Sequence, residues 1–187
     1  MRDSKTLEYK EEHWGRGPWQ KEPDQMQWQH RGLSCFMIRS TRGAWHGYVG
    51  VNESHAFYEK GYAQCALSTP CGETWCDHCP GSLLSVHGGL IHSGYAAEPM
   101  AQIPQPGEVL WWFGFACEHA DDLVPEIQAE LNRYGLGGLG TYRDVPYVTA
   151  EVNRLAEQLV WLARYPTEMG RARKQSFWVT LKHKITR

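Results

Sequence analysis

The sequence predicts an α+β fold, with a central, mainly antiparallel sheet packed against a long helix in the C-terminal half and one shorter helix. Three observations carry that prediction. Residues 34–39 and 44–51 are rich in β-branched, aromatic and sulfur-bearing side chains and flank Ser40-Thr41-Arg42-Gly43, which reads as a hairpin with Gly43 in the turn. Residues 109–117 carry no polar side chain, which implies a central strand buried on both faces and covered by a helix on one of them. Val148, Val152, Leu155, Leu159 and Leu162 recur at helical spacing between Asp144, a capping residue, and Pro166, a stop.

A chain of 187 residues can bury a core without help from disulfides or metal, so a single domain over 1–187 is expected. Its net charge of -2 gives no global reason to expect nucleic acid or an anionic membrane as partner. The run 109–117 is half of what a bilayer-spanning helix needs, and residues 1–5 hold no apolar signal region. A protein of the cytoplasm, without membrane contact, is the expectation. There the six cysteines stay reduced, and close spacing points to metal before disulfide.

In chain order, residues 1–29 form a polar arm that carries Trp14, Trp19 and Trp28. Three indoles have large apolar areas to bury, and no basic run accompanies them, so the arm is expected to be pinned to the core. After the hairpin, in which Gly47 and Gly50 mark a bulge or a close approach, His55 falls just past a strand end, where functional side chains gather. The Cys-rich loop 65–80 follows. Cys65, Cys71, Cys76, His78 and Cys79 offer five ligands where tetrahedral zinc needs four, and Cys76-x-x-Cys79 is a half-site, although Cys65 and Cys71 are spaced more widely than usual.

Residues 83–92 read as a second core strand, interrupted by His87-Gly88-Gly89, whose glycines admit a close backbone or ligand. A proline-punctuated surface loop over 98–107 leads into 109–117. Then Glu118, His119, Asp121 and Asp122 appear within five residues, and carboxylates beside imidazole suit metal binding or general acid–base chemistry. One aspartate is expected to cap the shorter helix, 123–134, which leaves His119 and the other as site candidates with His87. The glycine-rich stretch 135–140 follows a helix, the wrong context for a phosphate loop, and reads as a connector. The tail 170–187 places Arg171, Arg173, Lys174, Lys182 and Lys184 around a strand-like run with no acidic residue. That is a local candidate for contact with nucleic acid or an acidic surface, or else a guarded edge strand.

Several short motifs occur together: Gly17-Pro18-Trp19 with Glu22-Pro23-Asp24, Gly47-Tyr48-Val49-Gly50-Val51, Cys76-Asp77-His78 with Pro80, and Val86-His87-Gly88-Gly89-Leu90. Further on come Trp111-Trp112-Phe113-Gly114-Phe115 with His119 and Asp122, then Tyr142-Arg143-Asp144. Over residues 14–163 this set resembles a family of small proteins of phages and prophages. The resemblance implies a mobile-element context and no particular reaction. Cys76 and His78 belong to its pattern, whereas Cys65, Cys71 and Cys79 do not, and His46 stands where the pattern has a cysteine.

Three functions are carried forward. The first is a phage- or prophage-encoded accessory protein in the host cytoplasm that binds a host protein or complex, blocking or sequestering a component of host defence. The second is a metal-dependent hydrolase acting on a small nucleotide or nucleic acid, with His87, His119 and Asp122 as catalytic candidates and His55, Tyr142 and Arg143 as weaker ones. The third is a structural or virion-associated protein in which zinc serves folding alone. No nucleophile elbow, phosphate loop or dinucleotide fingerprint is present, so the enzyme reading rests on spatial convergence.

Overall fold

The computed structural model describes residues 6–67, 76–96, 107, 109–138 and 140–164. Five strands form one antiparallel sheet in the order β1-β2-β3-β5-β4. They are β1 (Gln25–His30), β2 (Leu33–Arg39), β3 (Trp45–Val51), β4 (His92–Tyr95) and β5 (Trp111–Ala116). β1 and β2 are joined by Arg31 and Gly32 alone, both at positive φ (53° and 82°), the two-residue turn that matches the twist of a hairpin. The β2–β3 hairpin turns at Gly43, also at positive φ.

One face of the sheet carries Cys35, Met37, Val49, Phe113 and Phe115, all fully buried. Against it lies α4 (Val145–Leu162), capped by Asp144, whose side chain accepts a hydrogen bond from the Tyr147 N–H. The predicted stripe Val148, Val152, Leu155, Leu159 and Leu162 is the buried one. Gly47 is where helix and sheet come closest, since a Cβ there would overlap Val152 and Phe115. The α+β architecture, the hairpin and the long helix are therefore as expected. Among the described residues no helix is long and apolar enough to cross a membrane.

Four expectations are corrected. Residues 83–92 are not a core strand: α2 (Pro80–Leu83) is followed by a loop in which Leu84, Val86 and Leu90 are buried, and only His92–Tyr95 joins the sheet. Gly88 and Gly89, both at positive φ, turn the chain where a strand would have continued. β5 is interior and buried over 112–116 as predicted, but Val109 lies outside the strand and is exposed, and the middle strand is β3. The shorter helix, α3 (Pro125–Arg133), is preceded by Val124 with no side-chain cap, so neither Asp121 nor Asp122 performs that task. Finally, the polar arm holds regular structure: α1 (Leu7–Trp14), a 3₁₀ turn (Pro18–Gln20) and all of β1 but its last residue, His30.

The arm is nevertheless pinned as expected. Trp14 and Trp19 are buried, with the Trp14 Nε1–H donating to the Thr41 carbonyl at 3.0 Å, and the Trp28 Nε1–H donates to Asn153 Oδ1 at 2.9 Å. A polar knot holds it as well. Arg39, with no side-chain exposure, donates to Glu22 Oε2 (2.5 Å), the Gly43 carbonyl (2.6 Å) and the Tyr142 hydroxyl (2.7 Å). Its guanidinium also sits 4.1 Å from the centre of a Trp45 ring. Lys10 closes the knot through Asp24 at 2.7 Å. The basic tail residues Arg171, Arg173, Lys174, Lys182 and Lys184 lie outside the described residues, as does Cys71.

Candidate functional site

Three loops and one helix meet at the C-terminal end of β5, on the side of the sheet that α4 covers. The loop after α2 brings His87, the turn after β5 brings His119 and Asp122, and the approach and first turns of α4 bring Arg143, Tyr147 and Glu151. The Asp122 side chain is only 1% exposed. Its Oδ2 accepts from His87 Nε2–H at 2.7 Å and from the His119 backbone N–H at 2.9 Å, while its Oδ1 accepts from Arg143 Nε–H at 2.8 Å. Burial alone would raise this carboxyl's pKa. The bonds from Arg143, His87 and the His119 amide outweigh that and hold it below the ordinary carboxylate value.

An ionised Asp122 only accepts, so the proton on His87 Nε2 is fixed, and the other ring nitrogen, Nδ1, faces the Tyr147 hydroxyl at 3.0 Å. The result is a continuous chain, Tyr147 O–H to His87 to Asp122, of the kind that moves a proton along an oriented imidazole. Burial, and then the charge of Glu151, raise the Tyr147 pKa, which keeps its proton in place as a donor. The Arg143 guanidinium lies 4.8 Å from the centre of the Tyr147 ring, and only its Nε is bonded among the described residues. Glu151 accepts from the His87 N–H at 2.9 Å and pairs with Arg154 at 2.6 Å, which fixes the backbone from which the imidazole projects.

His119 stands 5.3 Å from His87 between ring centres, and its Nε2 is buried with no partner among the described residues. Gly88 makes room for it: a Cβ there would overlap the His119 imidazole, and φ is +64°. Gly89, at +87°, faces open space. Gly88→Ala is accordingly expected to destabilise the fold by more than Gly89→Ala, which costs roughly 1–2 kcal/mol for the left-handed backbone alone. Urea melts of the two variants measure the difference, and equal losses would contradict the placement of His119.

The site candidates thus divide. His87, His119, Asp122 and Arg143 converge. His55 does not join them. It is buried between β3 and α4 with both nitrogens used, Nε2 on the Leu159 carbonyl at 2.9 Å and Nδ1 accepting from the Phe57 N–H at 3.0 Å, a core histidine. Tyr142 belongs to the arm knot, where its hydroxyl donates to Glu22 and accepts from Arg39. Nothing in residue type alone marks Tyr147 and Glu151 as part of this cluster. Their signal is the spacing of Tyr147 and Glu151, one turn apart on α4 beside its apolar stripe, with Arg143 just ahead of the cap. Cys117, beside this cluster, is no nucleophile: burial, aided by the Asp122 charge, pushes its thiol up to about 12.

Of the zinc candidates, Cys65 and Cys76 are half-buried, while His78 and Cys79 are buried. The His78 carbonyl accepts from the Ala66 N–H at 2.9 Å, and Cys79 Sγ lies 3.1 Å from Ser82 Oγ. Among the described residues no three His, Cys, Asp or Glu side chains are grouped as a metal centre.

Titration gives the fold a definite pH dependence. Burial lowers the pKa values of His55 and His92 below 6.5, so the unfolded chain takes up protons that the folded one refuses. The stability tied to these two rings is whole above the unfolded pKa and falls as pH drops below it. Thermal melts are expected to show a lower Tm at pH 5 than at pH 7, with a smaller drop in His55→Gln; no change between the two pH values would contradict the burial of both rings. Asp122 and Glu118 act further down. The hydrogen bond from His46 holds Glu118 at about 2, so its contribution persists to about pH 4 and is lost as pH falls toward 2.

Compared with protein-family models, curated proteins and solved structures, the chain matches none. The reading of this site therefore rests on its chemistry.

Proposed function

We propose that the protein is an acid–base hydrolase that cleaves a phosphodiester of a small nucleotide without a bound metal. The observation that carries this reading is the unbroken chain Tyr147–His87–Asp122 beside the second imidazole of His119. Every lone pair a metal would need on His87 is committed, and each Asp122 oxygen already accepts a protein hydrogen bond. The metal-dependent version of the hydrolase thus has less support than the metal-free one. In the proposed step the Tyr147 oxygen takes a proton from the attacking water as its own proton passes to His87 Nδ1. Asp122 steadies the imidazolium that forms. The proton then returns to the departing oxygen as the P–O bond breaks, so that water's hydroxyl ends on phosphorus and its proton on the leaving group.

The charges favour a substrate with one negative charge. Asp122 is offset by Arg143 and Glu151 by Arg154, which leaves no surplus positive field for a triphosphate. Arg143 keeps Nη1 and Nη2 for the two free oxygens of a phosphodiester. His119 Nε2, buried without a partner among the described residues, costs roughly 1–3 kcal/mol that a hydrogen bond to substrate would remove.

The test is incubation of the purified chain, with chelator present, with cyclic and linear nucleoside phosphodiesters, and separately with mono- and triphosphates, followed by ³¹P NMR. Cleavage of a phosphodiester that is lost in a folded His87→Gln variant is the expected result. No cleavage of any member, or cleavage that His87→Gln retains, would overturn the reading. The accessory-protein alternative, capture of a host protein, draws on Tyr134 and Leu136, which are exposed close together just past α3.

A further inference from the structure

The two edges of the sheet are finished differently. β4 has four residues, and the segment 59–62 is tied to its side chains, with the Tyr62 N–H donating to Ser93 Oγ at 2.8 Å and the Tyr95 hydroxyl bonded to Glu59. β1, at the other edge, has six residues with no proline, no bulge and no lysine, aspartate or glutamate, the devices that keep exposed strands from pairing. Its backbone phase follows from its partner. The Arg39 N–H donates to the Asp24 carbonyl, and the register runs unbroken from Gln25 with Ile38 to His30 with Leu33, so the backbone groups of Met26, Trp28 and His30 face β2. Those of Gln25, Gln27 and Gln29 face outward. The same three glutamines are the exposed residues of the strand.

This edge complements itself. Antiparallel pairing of two copies about a two-fold axis through Gln27 sets Gln27 opposite Gln27, and Gln25 opposite Gln29 of the second copy, and each pair exchanges both backbone hydrogen bonds. That register leaves no outward group of the three glutamines unpaired. On the α4 face it sets Met26 opposite Trp28 of the second copy, in the closer kind of cross-strand pair. Both side chains are half-buried against the main core, and the Trp28 indole is held by its bond to Asn153, so the two cores meet through groups already in place. The charges nearest the edge do not oppose the approach. Glu157 is met within its own copy by His30 at 3.1 Å and Arg31 at 3.7 Å.

We infer that β1 is a self-association surface, at which a second copy of this chain pairs antiparallel through Gln25, Gln27 and Gln29 and joins the two sheets into one. A second copy supplies what the edge asks for: a strand of the same length, uncharged side chains opposite the glutamines, and a Met26 for each half-buried Trp28. One strand from each copy makes a small contact, so the association is reversible and concentration-dependent. The inference does not rest on the hydrolase reading, since none of Tyr147, His87 and Asp122 lies on β1.

The test is sedimentation of the full chain from about 5 μM to about 500 μM, over which monomer is expected to give way to dimer. Gln27→Lys and Gln27→Glu change an exposed side chain and set like charges against each other on the axis. Each alone is expected to dimerise about fivefold more weakly, and an equal mixture of the two to recover the wild-type association, because opposite charges then face each other. Hydrogen exchange of the wild type reads the register without any substitution. The N–H groups of Gln25, Gln27 and Gln29 are expected to slow as concentration rises, while those of Met26 and Trp28, bonded to β2, are slow throughout. A chain that stays monomeric over this range, a dimer that neither variant weakens, or a mixture that associates no better than each variant alone would overturn the inference.

Discussion

Asp122→Asn is expected to lower phosphodiester cleavage by about 10⁴-fold and to destabilise the fold by about 3 kcal/mol. The side chain keeps its shape, so the effect is electronic. An amide has one acceptor oxygen where the carboxylate has two, and Asp122 now receives three donors: His87 Nε2–H, the His119 N–H and Arg143 Nε–H. Whichever way the amide turns, its NH₂ meets a donor. If it faces His87, the imidazole is driven to the tautomer with its proton on Nδ1, and Tyr147 loses its acceptor. Nitrogen chemical shifts of His87 report that change directly, and urea melts report the stability. A variant with wild-type turnover and the same tautomer would mean that Asp122 only anchors Arg143.

Arg39→Met is expected to cost about 3–5 kcal/mol, because it leaves the Glu22 carboxylate facing Tyr142 with no compensating charge. A Lys at this position would restore charge but not the fork that reaches Glu22, Gly43 and Tyr142 together. The double variant Arg39→Met, Glu22→Leu should recover part of the loss, since an ion pair replaced as a unit is often tolerated where half of one is not. Denaturation of the two singles and the double gives the coupling. Additive losses would show that the pair does not hold the arm.

These two sites differ in how far they could be read from the chain. α4 was visible because Asp144 caps it and its apolar residues keep one period for about four turns. The β2–β3 hairpin was visible through Gly43. β1 was not, because Gln25, Gln27 and Gln29 alternate with Met26, Trp28 and His30 and give the composition of a polar arm, although the alternation is that of an edge strand. His87, His119 and Asp122 were legible as polar groups at the ends of apolar runs. What joins them was not, since Tyr147 and Glu151 look like ordinary residues on a solvated helix face until the helix is laid against the loop that carries His87. Asp122 looked like a cap because the sequence shows that a helix follows, and not that the turn before it closes on the His119 N–H.

The order of strands also bears on how the chain reaches this state. β2 and β3 are joined by five residues, whereas β3 must wait through 59 residues for its other neighbour, β5. Closing the longer loop costs roughly 2 kcal/mol more chain entropy, so the β1–β2–β3 meander is placed to form first and to present an open edge along β3. α4, which packs on β2 and β3, closes a longer stretch still, 93 residues from the end of β3, so the same entropy argument does not place it ahead of β5. The last pairing to form is then the one that carries His119 and Asp122 into place, so the site assembles at the end of folding and only in chains that have completed the sheet.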